Sequence, residues 1–187
     1  MTLPLINATT ALADDPPITR NVPMQDFQNR LEDVKPYNFD APPEGMFYSI
    51  QFTEGFEEEV GYRRANEYVP VNPTDVFAPS TPTVYIVFRV YPHYESFQIF
   101  GRCYPETVDG LDPKQVITED IVYMALEDET GYLRLFPPTK TGWQPGKYKV
   151  EIHVGWNVTE VSLIGTMRFI VEPNGTTPGQ ATHSGAK

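Results

Sequence analysis

Proline and glycine interrupt this sequence so often that no long helix fits, with nineteen prolines and thirteen glycines spread over 187 residues. A proline inside a helix removes a hydrogen bond and clashes with the preceding turn, and an interior glycine weakens it further. What remains between the breaks is a series of short runs with a period of two. The clearest is Thr83 to Tyr91, with Val84, Ile86, Phe88 and Val90 on one face and Tyr85, Val87, Arg89 and Tyr91 on the other, as in a strand. Ser96–Tyr104, Asp120–Leu126, Tyr132–Phe136, Lys147–Val154 and Ser162–Val171 read the same way. They are separated by turn-forming stretches at Pro92-His93, Pro105–Pro113, Glu127–Gly131, Pro137–Gly146 and Gly155–Asn157. Tyr and Phe, with eleven residues each, suit half-buried strands. Short strands with turns between them predict an all-β, antiparallel fold over about residues 72–172, a two-sheet β-sandwich or a small barrel.

The region before it is read as an arm in two parts. Residues 1–45 are acidic and extended by composition, apart from one amphipathic segment at about 23–35. There Met24, Phe27, Leu31 and Val34 are spaced three, four and three apart, with Pro23 placed to start a helix and Pro36 to stop it. So short a helix needs a surface for its apolar stripe, either its own sandwich or a partner protein. Residues 46–71 read as a strand or hairpin. Met46–Phe52 is the first strand, Thr53-Glu54-Gly55-Phe56 the turn, and Val60–Arg64 or Glu67–Val71 the return. Residues 173–187, rich in Gly, Thr and Ser, are expected to be a flexible C-terminal tail.

The stretch Gly142-Trp143-Gln144-Pro145-Gly146-Lys147-Tyr148-Lys149-Val150-Glu151-Ile152, with Met167-Arg168-Phe169-Ile170-Val171 beyond it, resembles the end of bacterial immunoglobulin-like domains. There a W-x-P-G-x-Y-x-V turn enters the penultimate strand and an F-x-V strand closes the fold. The resemblance implies an immunoglobulin-like sandwich over Val76–Val171. It also implies a tyrosine corner in which the Tyr148 ring lies on the core and its hydroxyl reaches back to the preceding loop. The chain departs from disulfide-bonded members: Val150 stands where the second cysteine would be, and Phe100 or Tyr104 is expected in place of the core tryptophan.

Chemistry-bearing residues are sparse. Three histidines, His93, His153 and His183, follow no metal-ligand spacing, and the one cysteine, Cys103, reads as a small buried apolar residue. Glu119-Asp120 and Glu127-Asp128-Glu129 have no calcium-loop spacing and read as solvated. No catalytic residue, metal site or cofactor is therefore expected, and the chain is not read as an enzyme.

Charge directs attention to a protein partner. The net charge is −11, and residues 1–60, with three basic and eleven acidic side chains, carry −8 of it. Phosphate backbones and anionic lipid would repel such a surface, which argues against nucleic acid and membrane insertion, whereas a basic protein surface would attract it. The opening residues carry neither a basic n-region nor a span-length apolar run, which gives an expectation of a cytoplasmic protein, at most peripheral to a membrane through protein contacts. The expected function is a non-catalytic accessory subunit of a larger assembly, not an obvious homo-oligomer. One possible host is the cytoplasmic face of a membrane complex, such as a bacterial photosynthetic reaction centre with its antenna. Alternatives are a virion structural protein, a secreted adhesion or carbohydrate-binding module, and a small-ligand-binding or enzymatic sandwich. Partner-binding residues are expected at Met24, Phe27, Leu31 and Val34, at the acidic run Glu57, Glu58 and Glu59, and at Trp156, which sits in a hairpin turn beside Gly155 and Asn157.

Overall fold

A computed structural model describes residues 36–60 and 66–173. The helix expected at 23–35, with Met24, Phe27, Leu31 and Val34, and the tail after Pro173 lie outside the described residues. Among the described residues nine strands follow in order: β1 (Phe47–Val60), β2 (Asn66–Pro73), β3 (Val76–Phe77), β4 (Val84–Val90), β5 (Phe97–Val108), β6 (Thr118–Met124), β7 (Thr130–Leu135), β8 (Gly146–Gly155) and β9 (Leu163–Val171). They build an all-β sandwich of two sheets, one ordered β2-β1-β4-β7 and the other β3-β9-β8-β5-β6. Pairing is antiparallel except where the two-residue β3 runs parallel to β9.

Period two explains the core. On β4, Val84, Ile86, Phe88 and Val90 face inward against Ile99 and Cys103 of β5, Tyr148, Val150 and Ile152 of β8, and Met167, Phe169 and Val171 of β9. β1 needs a correction to simple alternation, because Phe47 and Phe52 are both buried although their spacing is odd. A register irregularity between Phe47 and Ser49 inserts the extra residue, and Tyr48 is turned out to solvent. Gly131 on β7 has no room for a side chain, since a Cβ there would lie 2.6 Å from Phe88 Cζ.

The tyrosine corner expected of Tyr148 is present. Its hydroxyl donates to Gln144 O at 2.7 Å, and its ring stacks on Phe169 at 5.0 Å with Trp143 edge-on at 5.2 Å. Gly146 makes the approach possible: its φ is +146°, and a Cβ would meet Thr107 O at 2.4 Å. Phe100 and Tyr104 do not serve as a core tryptophan. Before the irregularity at Pro105/Thr107 the even-numbered residues of β5 point outward, so both lie on the far side of the sheet from Ile99 and Cys103. Trp143, 2% exposed, contributes the indole from the preceding loop.

The hairpin differs most from expectation. Thr53–Phe56 is not a turn; β1 runs through it to Val60, and of the two return strands considered it is the later one that forms, as β2. Residues 47–53 pair with β4, whereas residues 53–60 pair with β2. At the changeover the buried Thr53 hydroxyl bonds to Gly55 O and Val71 O. Opposite Glu54, Asn72 takes a left-handed φ of +52°, a conformation asparagine tolerates better than most residues. The ribbon bends there and folds over the outer face of the sheet. Phe56 stacks on Tyr132 of β7 at 4.2 Å and meets Tyr85 of β4 and Tyr68 of β2 edge-on, both at 5.3 Å. Val87 is buried on the outer side of β4, and the groove beside it is lined by Glu67, Tyr68, Val69 and Pro70 of β2. The segment 46–71 is thus part of the sandwich unit, which begins at Asn38.

Residues 38–43 strap the margin of β9 that the short β3 leaves open. Thr166 N–H donates to Ala41 O at 2.8 Å, and Gly165 packs so closely on Pro43 that a Cβ would lie 2.6 Å from its ring nitrogen. Arg168 holds the strap by donating to Asp40 O at 3.0 Å and to the Asp40 carboxylate, while its Nε donates to Glu106 at 2.9 Å.

Candidate interaction surface

β6 is the edge strand of the five-stranded sheet, and its burial alternates along its length. Val122 and Met124 pack on the core, while Glu119, Ile121 and Tyr123 face outward. Gln98 of β5 is opposite both Tyr123 and Gly155, so the residue after Gly155 emerges close to Tyr123. That residue is Trp156. Its ring centroid is 6.3 Å from that of Tyr123, and the two residues are 60% and 53% exposed. Ile121 adds a third exposed apolar side chain, over the outward-facing Phe100 with which it pairs. Trp156 lies in the hairpin connection between β8 and β9, which is longer than the expected Gly155–Asn157 turn. The connection runs on through a 3-10 turn at Glu160–Ser162 before β9 starts.

Beyond this apolar patch the same face carries charge. Arg102 Nε lies 2.8 Å from Glu119 Oε2, though without hydrogen-bond geometry. Lys149 Nζ donates to Glu151 at 3.0 Å and sits 5.0 Å from the centre of the Tyr104 ring. Glu151, His153 and Ser162 match a hydrolytic triad by residue type but not by wiring. Ser162 Oγ donates to Thr159 O at 2.9 Å and accepts from Thr159 N–H at 2.8 Å. His153 Nδ1 lies 3.1 Å from the same oxygen, and Nε2 is 3.7 Å from Glu151. The Ser162 hydroxyl is tied to both the N–H and the C=O of Thr159 and so holds the 3-10 turn, and the 3.7 Å between His153 and Glu151 is longer than a hydrogen bond. Burial pushes the His153 pKa below the ordinary histidine value, against a weaker upward pull from Glu151.

Among the described residues, Cys103, His93 and the acidic pairs are each held in contacts within the sandwich. Cys103 is fully buried and burial pushes its thiol pKa up, away from reactive thiolate. His93 bridges two loops, with its ring nitrogens 2.8 Å from Glu95 O and 3.0 Å from Asp128 O. The acidic pairs read as solvated are instead engaged: Asp120 with Arg134, Glu129 with Arg89, and Asp128 with Ala125 N–H. Among the described residues no three His, Cys, Asp or Glu side chains converge on a metal position, and no described helix is long and apolar enough to cross a membrane.

Glu57, Glu58 and Glu59 are exposed on the distal half of β1. They lie on the hairpin over the four-stranded sheet, whereas Trp156 lies beside the outer face of the five-stranded one, so the structure does not bring the two groups together. Tyr123 and Ile121 were missed in the sequence. The signal was available in the phase of Asp120–Leu126, where apolar residues fall on the same face as Glu119. Compared with known proteins, the chain matches no family model and no curated protein.

Proposed function

We propose that this chain is a non-catalytic binding subunit that docks on a partner protein through Trp156, Tyr123 and Ile121. The observation that carries the reading is the pair of adjacent aromatic rings, each more than half exposed, on an edge strand and the loop beside it. Tryptophan is seldom left so open, and contiguous apolar patches built on aromatic anchors are characteristic of protein interfaces. The net charge of −11 favours a partner whose surface is basic around the pocket that receives Trp156. The run Glu57–Glu59, on the opposite side, supplies long-range attraction more than contact. The sandwich is read as immunoglobulin-like, a reading supported by the tyrosine corner and by the adjacency of β5, β8 and β9 in one sheet and of β4 and β7 in the other.

The test is co-purification of the native protein in mild detergent, beside a Trp156→Ala/Tyr123→Ala variant with unchanged circular dichroism. A stoichiometric partner that travels with the wild type should be lost from the variant, because truncating an interface anchor typically costs about 2 kcal/mol or more, some thirtyfold in affinity. Equal recovery of the same partner with both proteins, or a wild type found only as free monomer, would overturn the proposal.

A further inference from the structure

The second margin of the sandwich, where β6 and β7 run side by side, is closed along only part of its length. In the β4–β7 ladder Val90 N–H donates to Glu129 O, and the register carries that pattern to Phe88 with Gly131 and Ile86 with Leu133. The odd-numbered residues of β7 are therefore bonded to β4, and the even-numbered ones turn their N–H and C=O groups away from it, toward β6. Inward-facing side chains of β6 meet two of them. Thr118 Oγ1 accepts from Phe136 N–H at 3.3 Å, and Asp120 Oδ2 accepts from Arg134 N–H at 2.8 Å. Next in both series are Val122 and Tyr132, and valine has no acceptor to offer. The capping stops there, and the seam opens into a cleft of about 290 Å³ lined by Val122, Tyr123, Tyr132, Arg134, Asp128 and Tyr68.

We infer that this cleft binds an extended peptide segment of a partner protein, which pairs with the backbone of Tyr132. An antiparallel pair exchanges one N–H and one C=O in each direction, and Tyr132 presents both groups on the side where β6 supplies no cap. A sugar would instead need an aromatic face to lie on. The rings of Tyr132 and Tyr68 are committed to each other at 4.9 Å and to Phe56, and that of Tyr123 is tilted toward Trp156 on the outer face. What the cleft offers is backbone, the Arg134 guanidinium beyond its bonded Nε, and the Asp128 carboxylate beyond the Oδ2 that accepts from Ala125 N–H. The inference rests on the binding-subunit reading and adds a contact independent of Trp156.

The test uses the isotope-labelled full chain and the strand-prone peptide acetyl-Thr-Val-Thr-Val-Thr-amide. In the free protein the Tyr132 amide should exchange with solvent about tenfold faster than those of Arg134 and Phe136. Millimolar peptide should slow it and shift the Val122 and Tyr132 resonances. Val122→Asp, which extends the capping series by one step, should protect the Tyr132 amide without peptide and weaken peptide binding about tenfold or more. Val122→Thr, which adds a hydroxyl as at Thr118, gives the same comparison if the carboxylate is not tolerated. Trp156→Ala should leave peptide binding unchanged, so failure at one site is distinguishable from failure at the other. A Tyr132 amide already as slow as that of Arg134 would overturn the inference, as would peptide shifts confined to other residues. The same holds if cellobiose or maltose, and not the peptide, perturbs Tyr132.

Discussion

The Tyr148 hydroxyl donates to Gln144 O beside the box formed by Trp143 and Phe169, so Tyr148→Phe keeps the ring packing and removes one partly buried hydrogen bond. The expected cost is about 1–2 kcal/mol, because the Gln144 carbonyl is left without that donor, and urea denaturation at constant m-value measures it. A second prediction concerns pH. The His153 pKa is depressed below 6.5, mainly by burial, so as pH falls the unfolded chain takes up this proton before the folded one does. Stability should therefore decline below about pH 6.5. Burial acts to raise the Glu151 pKa, but hydrogen bonds from Lys149 and Tyr104 outweigh it and leave the group below its ordinary 4.5. Its contribution is present above that value and is lost on further acidification. Thermal melts should lose a few °C between about pH 7.5 and 5.5, and His153→Gln should flatten that slope. A slope unchanged by the substitution would assign the loss to other groups.

The elements were legible to different degrees, and each difference has a physical cause. Val84–Val90 and the strands after it were readable because one face is buried and the other is not, which writes a period of two into the residue types. Tyr148 and Trp143 were readable because a tight corner needs Gly146 beside them. The fold-over of the hairpin was not. Gly55 signals a break, but a glycine in a bend and one in a turn look alike, and the fixing contacts from Phe56 to Tyr85 and Tyr132 come from distant strands. Trp156 could be nominated by its type alone, whereas its neighbour Tyr123 comes from β6, more than thirty residues earlier in the chain, so the patch is a product of the sheet. The strap at 38–43 was hidden for the same reason. Arg168→Ala should cost no more than about 1 kcal/mol, because its ion pairs are partly exposed. It should nevertheless speed exchange of the Thr166 amide, which donates to Ala41 O, by roughly tenfold as the strap loosens.

For the molecule as a whole, the strap sets where the chain can be shortened. Removing residues 1–37 should leave the melting temperature within about 2–3 °C of the full chain. Removal through Gly45 takes away Asp40, Ala41 and Pro43 and should lower it by about 4 °C or more, with differential scanning calorimetry as the measurement. A large drop already on removal of 1–37 would show that those residues stabilise the sandwich. The two tryptophans also differ in surroundings. Trp143 is sealed among Tyr148 and Phe169, and Trp156 stands in solvent beside Tyr123. The chain thus carries two intrinsic fluorophores of separable colour and accessibility. Blue-shifted emission that resists iodide reports whether the corner is intact, and red-shifted emission that iodide quenches reports whether the surface is covered, so folding and docking can be followed in one cuvette without a label.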